Sequence, residues 1–126
     1  MRLVDTSSWV EYLRNRDSAA GDTVAALVLA GEAAWCDMTL VELWHGVRGA
    51  KEKKMLAEME SEIERIAVDR DVWNTASKLA QCARETGFTV PASDIIIAAC
   101  ATTRGLELEH CDKHFDDLLP IAKSLR

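Results

Sequence analysis

The stretch Arg2-Leu3-Val4-Asp5-Thr6-Ser7-Ser8-Trp9-Val10-Glu11 decides how the rest of the chain is read. Residues 2–5 have the pattern of a short buried strand that ends on an acid. Ser8-x-x-Glu11 has the spacing of a capping box, so a helix follows at once. Strand, tight turn and helix in immediate succession open a parallel α/β unit, because parallel neighbours need a crossover connection.

Working outward, residues 17–29 carry Val24, Leu27 and Val28 at helical spacing and stop at Gly31. Residues 33–36 form a short strand. In residues 39–47, Leu40, Leu43, Trp44 and Val47 share one helical face, and Glu42 and Gly46 fall on the other. Gly49 and the run Lys51-Glu52-Lys53-Lys54 interrupt this pattern, after which 55–63 is helical and 65–68 a strand. A helix over 70–86 closes at Gly87, 88–90 is an extended link, and Pro91-Ala92-Ser93 opens the apolar helix 94–104, ended by Gly105. Residues 106–111 read as a strand, 113–118 as a short helix, and 120–125, beginning at Pro120, as an edge strand. Helices alternating with short strands predict an α/β fold, a three-layer α/β/α sandwich around a mostly parallel sheet, with residues 1–126 as a single domain.

The composition, 48% hydrophobic and 29% charged, is that of a globular protein. No stretch approaches the roughly 18 apolar residues of a membrane span, and the N-terminus lacks a signal-peptide core, so a cytoplasmic location is expected. Cys36, Cys82, Cys100 and Cys111 are dispersed, without a Cys-x-x-Cys pair, and read as core thiols in a reducing compartment. His110-Cys111-x-x-His114 lacks the second ligand pair of a structural zinc site. The net charge of −6 argues against nucleic-acid binding through a broad basic face. It leaves room for a nuclease with local clusters of cations, for which Arg14 with Arg16, the Lys51–Lys54 run and Arg104 are candidates.

Four acids stand next to the apolar runs, Asp5, Glu42 and Asp112 after theirs and Asp94 at the head of Ile95-Ile96-Ile97. Each has a structural use of its own. Asp5 can cap the first helix, Thr39-x-x-Glu42 is itself a capping-box pattern, Asp94 suits the helix dipole, and Asp112 can cap the helix that follows. Asp116, one turn later, can point the same way as Asp112. Caps have no reason to converge, whereas parallel topology gathers the helix starts that follow strands at one sheet edge. Carboxylates gathered there repel unless a divalent cation neutralises them. A set of Asp and Glu with no His or Cys selects Mg²⁺, or Mn²⁺, the ions that clamp phosphates and activate water. No P-loop or Gly-x-Ser-x-Gly elbow competes with this reading. A binding module whose acids engage a basic peptide remains the alternative from outside the enzymes.

Four segments together resemble PIN-domain ribonucleases, specifically the VapC-type toxins of toxin–antitoxin pairs. They are Leu3-Val4-Asp5-Thr6-Ser7-Ser8-Trp9, Thr39-Leu40-Val41-Glu42-Leu43-Trp44-His45-Gly46, Pro91-Ala92-Ser93-Asp94-Ile95-Ile96-Ile97-Ala98 and Cys111-Asp112-Lys113-His114-Phe115. The resemblance spans the whole chain. It implies a Mg²⁺-dependent endoribonuclease with Asp5, Glu42, Asp94 and Asp112 as the acidic site. Asp5 and Asp94 are then the main metal ligands, Glu42 and Asp112 orient ligand or water, and Thr6 or Ser7 adds a hydroxyl. The segment before Asp112 lacks the family's frequent Thr, which leaves Asp112 and Asp116 both open as ligands. The resemblance further implies an RNA substrate, a homodimer and a small cognate antitoxin that inserts a basic side chain into the acidic site. A PIN nuclease of RNA processing is the other enzyme that fits.

Overall fold

A computed structural model of the protein describes residues 1–14 and 17–125, so Arg16 lies outside the described residues. Its elements in order are β1 (Arg2–Val4), α1 (Thr6–Arg14), α2 (Ala19–Leu29), β2 (Ala33–Cys36), α3 (Asp37–Gly46), α4 (Gly49–Glu60), β3 (Glu64–Ile66), α5 (Arg70–Thr86), α6 (Ala92–Arg104), β4 (Glu107–Glu109) and α7 (His114–Ser124). The strands form one sheet in the order β3-β2-β1-β4, with every pairing parallel.

Strand alternation builds the two flanking layers. Leu3, Ala34 and Cys36 point to a core shared with α5, α6 and α7. Val4, Ala33 and Trp35 point to the opposite core, filled by Trp9, Val24, Leu40, Leu43, Leu56 and Met59 from α1–α4. All four β2 residues are buried, as expected of a strand covered on both faces. Trp9 and Trp35 meet in that second core with ring centroids 5.1 Å apart. Gly87 and Gly105 end α5 and α6 at φ values of 92° and 66°, left-handed positions that strain any side chain with a Cβ.

The structure corrects three local expectations. α1 starts at Thr6, not after Ser8, because Asp5 is the capping residue: its Oδ1 accepts from the Ser8 backbone N–H at 3.0 Å. The basic run does not interrupt the pattern but lies within α4, whose Leu56 and Met59 are the buried anchors. The largest correction concerns 120–125, which form no edge strand but continue α7, with Pro120 inside the helix. A helix-interior proline costs about 3 kcal/mol. Phe115, Leu118 and Ala122 are fully buried at i, i+3, i+7 spacing, and the Phe and Leu alone return about 1.5–3 kcal/mol each.

Candidate active site

In the order β3-β2-β1-β4, the sheet grows to one side of β1 through β2 and β3, then to its other side with β4. The carboxyl ends of β1 and β4 therefore flank a topological switch point, the crevice where open α/β sheets bind ligands. Asp5 directly follows β1, and its backbone N–H donates to Glu109 O of β4 at 3.0 Å. Asp112 lies just beyond β4, while Glu42 and Asp94 arrive on α3 and α6.

Asp5 is 2% exposed, and its turn uses both carboxylate oxygens. Oδ1 caps α1 through Ser8, and Oδ2 accepts the Ser7 hydroxyl at 2.6 Å. Next to it, Thr6 donates to Glu42 Oε1 at 2.6 Å. On the other side, the Cys111 thiol reaches Ser7 Oγ at 3.3 Å and so ties the residue before Asp112 to the same turn. One hydroxyl-bearing turn thus links Asp5, Glu42 and the Asp112 segment.

Asp94 lies in the first turn of α6 with its side chain mostly buried, and Asp112 precedes α7. Asp112 Oδ1 accepts the His114 backbone N–H at 3.0 Å, which brings the imidazole over the two acids. His114 Nδ1 is 2.8 Å from Asp94 Oδ2 and 3.3 Å from Asp112 Oδ1. Burial pushes the Asp94 carboxyl above its ordinary pKa; the negative charges of Asp112 and Glu42 push the same way, and the bond to His114 opposes them.

Among the described residues, one group of donor atoms converges to within 4.8 Å: those of Asp94, Asp112 and His114. Two of the four acids singled out in the sequence meet directly. Glu42 reaches them through its field, and Asp5 is a buried cap whose two oxygens each accept one hydrogen bond and keep a second lone pair for a cation. Asp116 is outside that group, its side chain 72% exposed and 4.0 Å from His110 Nε2, though it lines an open pocket with Asp112. His114 is the addition that the sequence reading did not make. Its signal was the Asp112-x-His114 spacing at a helix start, where an Asp cap fixes the residue two positions on. The donor set fits a divalent cation, since a positive ion offsets the burial, and the neighbouring negative charge, that raise the Asp94 pKa.

Two of the cations singled out in the sequence are paired with other acids. Arg14 is held by Glu52 at 2.9 Å and Arg104 by Asp69 at 2.6 Å. Arg14, Arg48 and Lys51 line an open groove of about 560 Å³ between α1 and α4. No helix among the described residues is long and apolar enough to cross a membrane.

Residues 2–118 match the family model described as the PIN domain. The chain belongs to the PIN domain family. Ribonuclease VapC11 of Mycobacterium tuberculosis is 32% identical to it over 120 residues, covering 92% of this chain and 90% of that protein. VapBC2 from Rickettsia felis, solved bound to a DNA fragment from its promoter, superposes with a TM-score of 0.79 at 17% identity, covering 94% of this chain and 92% of that one. VapBC-5 from M. tuberculosis, a member of the VapBC family of toxin–antitoxin systems, superposes with a TM-score of 0.68 at 25% identity over 93% and 89% of the two chains. The PIN fold and its parallel sheet are therefore common to this chain and those structures, and its relatives make it a nuclease of the hydrolase class.

Proposed function

We propose that this PIN domain is a divalent-metal-dependent endoribonuclease and the toxin of a toxin–antitoxin pair. The observation that carries this reading is the convergence of Asp94 and Asp112 with Glu42 beside them at the switch point of the sheet. The relatives named as VapC ribonucleases, and the neighbours solved as toxin–antitoxin complexes, support RNA as substrate and a small protein as inhibitor.

In this mechanism Asp5, Asp94 and Asp112 would hold Mg²⁺ or Mn²⁺ where β1 and β4 end and α6 begins. When bound, the cation polarises a phosphoryl oxygen and offsets the charge that grows during in-line attack. Thr6 occupies Glu42 Oε1, which leaves Oε2 to take the proton of the attacking water. Ser7 keeps Asp5 in place by donating to its Oδ2. The same acids suit a basic side chain from an antitoxin, a contact that displaces the metal and blocks the substrate together. A homodimer belongs to the same reading, and Val41 and Trp73, 61% and 51% exposed beside a small apolar groove, offer it a face.

The test is cleavage of a panel of structured RNAs by antitoxin-free protein with Mg²⁺, Mn²⁺ or EDTA, and with Asp94→Asn as the contamination control. Cutting that needs the metal and vanishes in the variant is expected. Folded, metal-loaded protein that cuts no RNA favours the acidic binding module. Growth arrest on expression, relieved by a neighbouring small open reading frame, separates a toxin from an RNA-processing nuclease.

A further inference from the structure

The acids predicted from sequence made an all-oxygen site, whereas the folded chain adds an imidazole to it. We propose that His114 is itself a metal ligand through Nδ1, and that it turns the site into a mixed oxygen–nitrogen centre that takes Mn²⁺ in preference to Mg²⁺. This inference rests on the metal-dependent reading above and specifies its ion.

The geometry supports direct ligation. In an octahedral site with bonds of about 2.1 Å, neighbouring ligand atoms stand about 3.0 Å apart. His114 Nδ1 shares a proton with Asp94 Oδ2 at 2.8 Å and lies 3.3 Å from Asp112 Oδ1, separations close to those of adjacent ligands, so an ion bound here would replace that proton. All three donors fall within 4.8 Å of one another, so that small side-chain rotations bring each to one ion. The bond from the His114 backbone N–H to Asp112 Oδ1 ties down the first residue of α7, and Phe115, fully buried, anchors the next residue. His114 is therefore held at the site by the backbone, and only rotation of its side chain is left to adjust. Mg²⁺ favours oxygen donors and retained waters, while imidazole favours the transition ions, so one nitrogen in the set shifts selectivity toward Mn²⁺.

The experiment is Mn²⁺ binding to the metal-stripped, full-length protein, read by electron paramagnetic resonance and by electron spin-echo modulation from ligand nitrogen. Wild type is expected to show one bound Mn²⁺ with imidazole nitrogen modulation, displaced by Mg²⁺ only at about tenfold excess or more. His114→Ala and His114→Gln, checked for folding by their melting curves, are expected to lose the modulation and to exchange Mn²⁺ for Mg²⁺ at near-equal concentrations. Bound Mn²⁺ without nitrogen modulation in wild type overturns the proposal and leaves His114 as a hydrogen-bond partner of Asp94, with the metal-dependent reading intact. Failure of wild type to bind Mn²⁺ at all overturns both. The wild-type spectrum decides the question even if neither variant folds.

Discussion

The Thr6 hydroxyl donates to Glu42 Oε1 at 2.6 Å and so joins the first turn of α1 to the middle of α3. The bond fixes one oxygen of Glu42 and leaves the other for chemistry. Thr6→Val keeps the shape and removes the donor, so urea unfolding should register a loss of about 1 kcal/mol. Cleavage should fall by between about tenfold and a hundredfold as Glu42 loses its orientation. Thr6→Ser should restore both. An unchanged rate in Thr6→Val would show that Glu42 orients itself without help.

Asp94 gives an opposite result with and without metal. Burial, reinforced by the charges of Asp112 and Glu42, raises its folded pKa despite His114. The folded chain thus keeps a proton over a pH range in which the unfolded chain has lost it. Stability of the metal-free protein therefore falls as pH rises through that window, and levels off above the folded value. Asp94→Asn removes this cost, so in EDTA at pH 7 it should melt above wild type. With metal at a hundred times Kd, wild type gains about 2.7 kcal/mol and the variant does not, which reverses the order. Calorimetry in both buffers checks this; a variant that melts lower in EDTA would mean that the bond to His114 outweighs the burial.

The choice between Asp112 and Asp116 is open to a paired substitution. Asp112 shares the converging donor group, while the Asp116 side chain is 72% exposed beside His110. Asp112→Asn should weaken metal binding about tenfold or more, and Asp116→Asn should leave it within about twofold. Isothermal titration separates them, and equal losses in the two variants would place both at the ion.

The packing of α7 is tested through Leu118, which is fully buried in the helix before Pro120. Leu118→Ala should cost about 2–5 kcal/mol, measured by the urea midpoint. A cost below about 1 kcal/mol would mean that α7 does not pack as described.

Residues 120–125 also show where local sequence stops deciding. Pro120 breaks the local pattern, and only the fit of Phe115, Leu118 and Ala122 against the core under α5 and α6 keeps the helix going past it. The same holds for His114, which reads in sequence as half of an incomplete zinc pair. Its meaning depends on Asp94, twenty positions away in the chain and 2.8 Å away in space. By contrast, Asp5, Asp94 and Asp112 were legible because each sits at a strand end or a helix start, where local patterning marks the position.

The sequence by itself determined the alternation of helices with short buried strands, the parallel sheet this requires, and the acids at its carboxyl edge, because hydrophobic period and capping residues are written locally. The tertiary structure decided which donor atoms stand together and which hydrogen bonds each acid makes. Asp5 accepts a hydrogen bond from its own turn on each oxygen, Asp116 is exposed beside His110, and Asp94 and Asp112 close on His114. The physical reason is that a carboxylate's role follows from the charges and donors around it in three dimensions. Strand order, which brings β1 between β2 and β4, sets those neighbours.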